Sequence, residues 1–498
     1  MFEFFRSTKS DAKPPVSPPE SPRDEPTSTL SLNFGGQELS ESDAQNHFAF
    51  IGTTGSGKTL MMRLLMQSVL PQVGSGKGYR ALVYDAKQDV LPIISAYCPR
   101  RRVCTLNPFD QRGVAWDISA DVTEAHVAME IAFTLIPDAS ESQPYFANAS
   151  RHILYGIMAV FLLREKQWTL ADLIRVAGNS SLCARFLQSR PETSSIVSKY
   201  FQEERLLNDI FSTLATKLLL YEPIAAQWEH ARQRVSLKQW IQNEWILVLG
   251  NSEVSRYAID NINRCIFKRA TDLTLMQREG TPQRNWFFID EVSEAGRLTS
   301  LPSLLKKGRS KGARVAIAFQ SISGLRDPKL YGQYGTDDIL GQISNRFCGR
   351  VECAETAEYL ARYIGDAEVR QFSGSQSSSP QGTTHSTSWQ NAVRRVILPS
   401  EFMSITACGR ENGLTGLFTT RSDLPTWDHI SGSVLFDELL IPAVDDVPEF
   451  LPRDHTSQFL LPWTPEQENV MCDSLGIHSP VDELSPRAQS QSIWNTLD

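Results

Sequence analysis

The stretch His47–Leu70 reads HFAFIGTTGSGKTLMMRLLMQSVL, and this stretch decides the fold. Its middle fits the phosphate-binding pattern G-x-x-x-x-G-K-[ST] over Gly52, Thr53, Thr54, Gly55, Ser56, Gly57, Lys58 and Thr59. The apolar run before the pattern is typical of a short buried strand, and the run after it has the apolar spacing of a helix. The alternative is a glycine-rich turn with an ordinary surface lysine, and the strand–loop–helix context argues against it. The sequence therefore predicts a site for a nucleoside triphosphate.

Each part of this loop has a chemical task. Glycines let backbone N–H groups close around a phosphate, and the new helix points its positive end at the same place. Lys58 would reach the β- and γ-phosphates, and Thr59 would hold Mg²⁺. The cofactors predicted are ATP and Mg²⁺.

Two further segments would complete the site. The apolar run Trp286–Ile289 ends in Asp290 and Glu291, which would orient Mg²⁺ and polarise the attacking water, respectively. The next strand ends in Gln320, which could sense the γ-phosphate or position the water, or could simply bond to loop backbone. A strand that ends in Asp-Glu favours an ATP hydrolase of the RecA/AAA-like class over a kinase or a GTPase.

Short, nearly continuous apolar runs predict a parallel sheet covered on both faces. The predicted strands are Phe48–Ile51, Ala81–Tyr84, Val103–Leu106, Ile246–Leu249, Phe287–Ile289, Val315–Phe319 and Gly413–Phe418. Their alternation with helical stretches indicates an α/β fold. From about Asp117 to Trp240 the pattern is almost entirely helical, which predicts an all-α domain inserted between two sheet strands rather than ordinary crossover helices.

The length and composition limit the number of domains and the class of protein. A chain of 498 residues suggests two to four domains, and 41% hydrophobic with 21% charged residues is ordinary for a globular protein. The net charge of −8 excludes a protein that is basic all over, although a local channel could still be basic. The 8 cysteines are scattered without C-x-x-C spacing, which indicates reduced thiols. The longest apolar stretch, Ile153–Leu163, is too short for a bilayer span and predicts a buried helix.

These patterns divide the chain into five parts. They are 1–45, a disordered Pro/Ser-rich tail; 46–116, the first part of a RecA-like motor domain; 117–240, the inserted all-α domain; 241–430, the second part of the motor domain; and 431–498, an acidic Pro-rich tail. The acidic tail contains apolar clusters, which suggests that it docks on its own domain or on a partner. The alternative is a solvated tail. The run Ser373–Ser388 lacks core-forming residues and predicts a mobile loop.

A basic cluster lies between the strands that end at Asp290 and at Gln320. Its members are Lys306, Lys307, Arg309, Lys311 and Arg314. The cluster could face a nucleic-acid backbone or a neighbouring subunit's nucleotide, or it could be a solvated helix face. The triplet Arg100–Arg102 carries the same ambiguity.

Five sequence blocks occur in an order that resembles the type IV coupling protein family, the ring-forming ATPases of conjugation and type IV secretion. The blocks are GTTGSGKT (52–59), YDAKQD (84–89), LNPFD (106–110), FIDEVSEAGRLTSLPSLLKKGRSKGARVAIAFQS (288–321) and AETAEYLARYIGDAEVRQ (354–371), followed by RRVILPSEF (394–402). The resemblance runs from about Asn46 to Asp423. YDAKQD lacks the Pro-Gly turn of the family's usual form.

The resemblance implies a RecA-like motor, usually a homo-hexamer, that pumps DNA through a central channel. It also implies docking of a DNA–relaxase complex, the relaxosome, to type IV secretion components. Arg346 falls where the family has an arginine finger that crosses to the next subunit, and Arg350 is the fallback. No signature of sequence-specific DNA reading is present.

Family members generally carry N-terminal transmembrane helices before the motor, and this chain has a Pro-rich segment there. We therefore expect a cytoplasmic protein that reaches the inner membrane only through a partner. Two other functions stay open at this point. One is a substrate-docking receptor whose ATPase only gates handover, and the other is a soluble HerA- or FtsK-like DNA pump outside conjugation.

Overall fold

The computed structural model describes residues 32–98, 102–137, 144–252, 255–379, 382–453 and 459–477. Two of the predicted features fall partly outside these ranges. Residues 1–31 of the predicted tail and Arg100 and Arg101 of the basic triplet are not among the described residues.

The described strands fall into one large sheet and three small pairs. In chain order they are β1 (Asn33–Phe34), β2 (Gln37–Glu38), β3 (His47–Ile51), β4 (Tyr79–Tyr84), β5 (Val103–Thr105), β6 (Ala115–Trp116), β7 (Arg234–Val235), β8 (Ile246–Leu249), β9 (Arg284–Ile289), β10 (Ala313–Phe319), β11 (Ile343–Cys348), β12 (Asp366–Ser379), β13 (Gly382–Arg395), β14 (Leu414–Thr419) and β15 (Thr426–Ile430).

The described α-helices flank the large sheet or build the insert. They are α1 (Glu41–Ala44), α2 (Lys58–Val69), α3 (Val90–Tyr97), α4 (Ile118–Asp121), α5 (Ala125–Leu135), α6 (Pro144–Leu163), α7 (Leu170–Gly178), α8 (Ser180–Gln188), α9 (Pro191–Tyr200), α10 (Glu204–Leu218), α11 (Glu222–Glu229), α12 (Leu237–Gln242), α13 (Arg256–Leu275), α14 (Leu301–Lys307), α15 (Ile322–Leu325), α16 (Gly332–Gly341), α17 (Ala354–Ile364), α18 (Pro399–Ser404) and α19 (Pro465–Ser474).

The large sheet has nine strands in the order β15-β14-β11-β3-β10-β9-β4-β8-β5. The strands from β11 to β5 pair in parallel, and β14 and β15 add an antiparallel edge. Each predicted strand is present in this sheet, so the α/β prediction is confirmed. Strand β11 was not predicted, because its polar residues Ser344, Asn345 and Arg346 break the apolar run that marks the other strands.

Alternating side chains of each strand enter two separate cores, as a sheet covered on both faces requires. Phe48 and Phe50 of β3 pack in the core that contains α2 and α3. Ala49 and Ile51 of the same strand pack in the larger core that includes α13 and the helical insert. The sheet is therefore a rigid central layer, and its loops can hold side chains in fixed positions.

The helical insert runs from α4 to α12, and the short strands β6 and β7, which precede α4 and α12, form a parallel pair. Among the described residues, α6 is long and apolar enough to cross a membrane by length and composition, but 67% of its most apolar window is buried inside the protein. Ile153, Ile157 and Phe161 of α6 are fully buried. The helix is therefore the central core helix of the insert, as the sequence predicts.

The part of the predicted N-terminal tail that is described, residues 32–45, is folded, and here the predicted boundary at Asn46 is wrong. Strands β1 and β2 form a hairpin, and α1 follows with Ser40 as its N-cap. Leu32 and Phe34 are buried, and the Phe34 ring packs at 5.8 Å from the ring of Phe48. These two apolar side chains are too few to stand out in a Pro/Ser-rich segment, but they complete the core over α2.

The predicted mobile loop Ser373–Ser388 lies within an antiparallel hairpin, and this prediction is also wrong. β12 and β13 pair without a break from Asp366↔Arg395 to Ser379↔Gly382. Serine, threonine and glutamine give little apolar alternation, so the pairing left no period-2 signal in the sequence. We call this two-stranded element, residues 366–379 and 382–395, the ribbon.

The acidic segment after β15 docks on its own chain at several points within residues 431–453 and 459–477, although Phe459 and Leu461 are 82% and 70% exposed. The Gln67 amide donates to the carbonyl of Leu439 at 2.8 Å. The Arg453 guanidinium donates to the carbonyls of Gln227 and Gly113 at 2.9 and 2.8 Å. Leu475 is buried in the core of the helical insert. The segment thus crosses from the motor domain to the insert.

The basic cluster of residues 306–314 does not form one surface. Arg314 is buried in β10, while Lys306 pairs with Asp338 at 2.6 Å and Lys311 with Glu279 at 3.7 Å. The cluster precedes or begins β10, so it lies at the amino edge of the sheet, opposite the edge where Gly52 follows β3.

Candidate nucleotide-binding site

The phosphate loop, residues 52–59, connects β3 to α2 at the carboxyl edge of the sheet. Gly55 and Gly57 have φ angles of 75° and 92°, and Gly57 is the N-cap of α2. A Cβ on Gly57 would lie 2.0 Å from Cδ1 of Leu414. Glycine is therefore required at position 57 by both backbone conformation and packing.

Three neighbouring segments hold this loop from outside. The N–H of Thr53 donates to the carbonyl of Arg350 at 2.7 Å, and the N–H of Gly52 donates to the carbonyl of Phe319 at 3.3 Å. On the other side, the N–H of Cys408 donates to the carbonyl of Gly55 at 2.8 Å. The loop is thus fixed by β10, by the segment after β11 and by the segment before β14.

The structure brings the predicted metal ligands together. The Thr59 hydroxyl donates to both carboxylate oxygens of Asp290, at 3.1 and 3.3 Å. Lys58 is buried, and its ammonium donates to the carbonyl of Thr53 at 3.0 Å. Burial lowers the pKa of Lys58, while Glu291 and then Asp290 act in the opposite direction. A hydroxyl beside a carboxylate is an oxygen donor set of the kind that Mg²⁺ prefers.

Glu291 is buried, and the Ser293 hydroxyl donates to its Oε1 at 2.6 Å. This hydrogen bond fixes the orientation of the carboxylate next to the metal ligands. Gln320 directly follows β10, which lies between β3 and β9, and its side chain is exposed. Lys58, Thr59, Asp290, Glu291 and Gln320 therefore all lie at the carboxyl edge of three adjacent parallel strands.

The loop also has unused hydrogen-bonding capacity. Thr54 and Gly55 are exposed at its tip. The Ser56 hydroxyl is buried and has no hydrogen-bond partner among the described residues. Buried polar groups without partners are rare in folded proteins. The glycine conformations, the buried lysine and this orphan hydroxyl together fit a bound polyphosphate, and the Thr59–Asp290 pair fits its Mg²⁺.

A family model described as the type IV secretion-system coupling protein DNA-binding domain matches residues 31–427. The chain belongs to the type IV coupling protein family. Its similarity to the coupling protein TraD of Escherichia coli (strain K12) is 22% identity over 339 residues, which are 66% of this chain and 45% of TraD. The conjugal transfer protein TraG of Rhizobium radiobacter is 28% identical over 120 residues, 24% of this chain and 19% of TraG. The matches thus span less than half the length of these relatives.

Solved structures of the plasmid coupling protein TrwB share the fold. The unbound monoclinic form of TrwBdeltaN70 superposes with a TM-score of 0.65 at 18% identity, over 85% of this chain and 92% of that one. TrwB in complex with ADP and Mg²⁺ gives a TM-score of 0.64 at 18% identity with the same coverage. The RecA-like domain with an all-α domain, expected from the sequence, is therefore the fold of this chain.

The block YDAKQD (84–89), which begins at the end of β4, contributes Asp85 and Lys87 to the site. The sequence did not assign roles to these two residues. The Lys87 ammonium lies 3.4 Å from Oδ2 of Asp290. Asp85 is buried and accepts from the N–H groups of Asp89 and Val90, at 3.2 and 3.4 Å, where α3 begins. Burial, and then the charge of Asp89, raises the pKa of Asp85 to about 7. The block YDAKQD was visible in the sequence, but the contact between Lys87 and Asp290 depends on β4 lying beside β9.

Arg346, the predicted arginine finger, is not at the phosphate loop. Its guanidinium is buried and donates to the carbonyls of Ile343 at 3.1 Å and Leu340 at 2.5 Å. It also stacks on the ring of Tyr363 at 3.7 Å. An arginine finger acts on the phosphates of another subunit, so the role of Arg346 as a finger stays a prediction. The fallback, Arg350, adjoins the phosphate loop through its backbone, and its side chain pairs with Glu352 at 3.4 Å.

Proposed function

We propose that this chain is an ATP-hydrolysing DNA translocase that acts as a type IV coupling protein and links a DNA–relaxase substrate to the transfer channel. The observation that carries this proposal is the convergence of Lys58, Thr59, Asp290 and Glu291 at one sheet edge. It is supported by membership of a family whose model describes a DNA-binding domain.

Bound MgATP would supply the scissile γ-phosphate bond, and the chain's own residues would prepare its surroundings. Lys58 would place a cation beside the phosphates, and the positive amino end of α2, which begins in the loop, would attract the same negative charge. Thr59 and Asp290 present oxygens to Mg²⁺. Glu291, held by Ser293, accepts a proton from the attacking water. The exposed amide of Gln320 is available to orient that water or contact the γ-phosphate. TrwB structures contain ADP and Mg²⁺ or non-hydrolysable ATP and GTP analogues, which supports this assignment.

The remaining parts of the proposal concern assembly and partners. We expect a homo-hexamer that binds DNA without sequence preference, with relaxase and type IV secretion components as protein partners. The chain would work in the cytoplasm and contact the inner membrane only through a partner. We also propose the domain limits given by the sequence, with the motor's first part extended back to Leu32.

The first experiment measures the ATPase rate with and without DNA, across protein concentration and at two salt concentrations. We expect DNA to stimulate turnover, stimulation to rise with protein concentration, and salt to weaken it because phosphate contacts release counterions. A rate that is independent of both DNA and protein concentration would contradict a DNA-activated ring. A substrate complex that forms equally well with Lys58→Ala would favour a docking receptor instead.

Glu291→Gln isolates the hydrolysis step. This variant keeps the size of the side chain and the contact to Ser293, but removes the group that accepts a proton. We expect it to bind ATP and retain it, measured as radiolabelled nucleotide that stays with the protein through gel filtration. Rapid release of ADP from Glu291→Gln would show that another residue activates the water.

A further inference from the structure

The ribbon is an unusual element of this fold because no other described strand pairs with it. Its two strands, each of 14 residues, form a separate two-stranded sheet. At about 3.3 Å per residue, each strand extends roughly 45 Å. Its root is anchored where the N–H of Val396 donates to Gly365 O at 3.2 Å and Arg395 contacts Glu358 at 2.7 Å. Isolated two-stranded hairpins are marginally stable in water, so the ribbon would gain stability from a bound partner.

Two aromatic residues stand opposite each other on this ribbon. Phe372 pairs with Trp389, and their ring centroids are 5.3 Å apart at an interplanar angle of 65°. The contact is edge-on, so it leaves much of both side chains uncovered, and Phe372 and Trp389 are 55% and 70% exposed. Large aromatic side chains exposed together in this way mark a contact surface more often than a structural one.

The charge and polarity of the ribbon narrow the class of partner. The ribbon carries three arginines and one histidine against two acidic residues, Asp366 and Glu368, which both lie at its root, and Arg395 pairs there with Asp366 and Glu358. From Val369 onward the ribbon has no acidic residue, in a chain whose net charge is −8. Most of the other residues in this segment carry hydroxyl or amide groups. Arginine, hydroxyl and amide side chains are the usual donors to phosphate, and aromatic rings are the usual platforms for unpaired bases.

We propose that the ribbon is a binding surface for single-stranded nucleic acid, with bases stacked on Phe372 and Trp389 and a phosphate held by Arg370, which lies on the same face two residues from Phe372. This inference rests on the proposed function and adds to it the place of the DNA contact. Stacking on an exposed ring requires a base that is free of its duplex, so the preferred substrate is a single strand.

A second copy of this chain is an alternative partner for the ribbon, but the surface of the ribbon fits such a partner less well. A stable protein interface buries about 800 Å² on each partner and has an apolar centre. The exposed large apolar side chains described on the ribbon are Val369, Phe372, Trp389 and Val393, all in the half nearer its root. The rest of the ribbon is composed mainly of serine, threonine, glutamine and glycine. This composition favours a charged, flexible ligand.

The test measures fluorescence anisotropy of labelled dT30 and of a labelled 30-base-pair blunt duplex. Phe372→Leu/Trp389→Leu keeps an apolar cross-strand pair, so the ribbon retains its pairing, but it removes both stacking faces. We expect the Kd for dT30 to rise at least about tenfold, within the range for loss of a base–aromatic stack, with little change for the duplex. Arg370→Gln should lower the slope of log K against log salt by about 0.7 on the single strand, as for one lost phosphate contact.

The matched control is Tyr334→Leu, which removes an aromatic side chain that is 90% exposed on α16, away from the ribbon. It should bind dT30 as the wild type does. If the wild type binds neither ligand, the proposed function itself fails. If the wild type binds dT30 and the double leucine variant, folded by circular dichroism, binds it equally well, only the ribbon inference fails. Unchanged dT30 binding with a loss of oligomers in sedimentation velocity would assign the ribbon to a second copy and overturn the inference.

Discussion

Residues 52–59 and residues 373–388 are both rich in glycine, serine and threonine, yet one segment is a fixed loop and the other belongs to a projecting ribbon. The phosphate loop is short, and it is flanked by the buried strand β3 and by α2, whose Met61, Leu64 and Leu65 are buried. The ribbon segment has no buried strand beside it and pairs only with itself. The same residue types thus gave opposite structures because their apolar flanks differ.

The phosphate loop and the ribbon present their polar residues in different ways. In the phosphate loop, the sheet fixes backbone N–H groups and Lys58 before any ligand arrives, which lowers the ordering cost of binding. On the ribbon, Phe372 and Trp389 are exposed on a two-stranded element that pairs with no other described strand. We therefore expect substitutions in the loop to change chemistry, and substitutions on the ribbon to change the affinity for a long ligand.

The largest effect is expected for Lys58→Ala. The variant removes the buried cation beside the phosphates, so turnover should fall on the order of 100- to 1000-fold, as for the loss of other groups that stabilise transition-state charge. The measurement is steady-state phosphate release at saturating ATP. The exposed Lys329→Ala serves as control and should retain the wild-type rate. Normal turnover in Lys58→Ala would remove the phosphate loop from the proposed mechanism.

Two glycine variants test whether the phosphate loop is held in place by the segment at Leu414. Gly57→Ala places a Cβ 2.0 Å from the buried Leu414 at φ 92°, whereas Gly55→Ala meets no atom within 4 Å at φ 75°. Both variants strain the backbone by about 1–2 kcal/mol, and only the first also clashes. We expect the Kd for a fluorescent ATP analogue to rise at least tenfold for Gly57→Ala and several-fold for Gly55→Ala. Equal losses would mean that the loop is not held by the segment at Leu414.

Much of the fold was predictable because short, continuous segments of the sequence determine it. Each apolar strand of the sheet is a continuous run, and the phosphate loop is a contiguous motif between two such elements. Asp290 and Glu291 could be placed as well, because they end a buried strand. The misses all depend on contacts between distant segments. The polar strand β11 is stabilised by pairing with β3 and β14, and the folded residues 32–45 are stabilised by Phe34 packing on Phe48.

The same limit explains the surroundings of Arg346 and the docked acidic segment. The sequence shows an arginine at position 346, but its contacts with Leu340 and Tyr363 depend on the fold. Likewise, composition marks residues 431–477 as acidic and Pro-rich. Their docking depends on carbonyl and side-chain partners far away in the sequence, such as Gln67 and Gln227.

Arg346 and Arg350 lie on the segment that joins the two regions, since Arg350 contacts the phosphate loop and Arg346 stacks on Tyr363 just before the ribbon. Arg346→Ala loses two buried hydrogen bonds from a charged group, so the free energy of unfolding should fall by about 2–4 kcal/mol. Arg350→Ala, whose side chain is 36% exposed, should lose less than about 1 kcal/mol. Urea denaturation measures both values.

Mixing each arginine variant with wild type then separates stability from catalysis. We expect Arg350→Ala subunits to lower ATPase activity more than in proportion to their fraction, and Arg346→Ala subunits to lower it only in proportion. If Arg346→Ala is as stable as wild type and still poisons the mixture, the guanidinium leaves its contacts with Leu340 and Tyr363 and is the finger after all.

A pH-dependent effect is expected at His47, the first residue of the strand that leads into the phosphate loop. Its Nδ1 accepts from the N–H of Val315 at 3.1 Å, so the Nε2–H donates to the carbonyl of Leu305 at 3.0 Å, and the ring is neutral. Burial, with the charges of Arg314 and Arg309, lowers its pKa to about 4, although the bond to Leu305 acts in the opposite direction. The unfolded chain binds this proton near pH 6.5, so stability should fall as the pH drops from 6.5 to 4, by at most about 3 kcal/mol.

His47→Gln removes this titration and should be less stable than wild type at pH 7. Its unfolding free energy should depend less steeply on pH between 6.5 and 4, so the two stability curves should converge as the pH falls. Urea denaturation at half-unit pH intervals provides both curves. Parallel curves would mean that His47 is protonated in the folded state near its ordinary pKa, which its two hydrogen bonds do not allow. Convergence would show that the amino end of β3 fixes the strand through a neutral imidazole, while its carboxyl end carries the charged groups of the phosphate site.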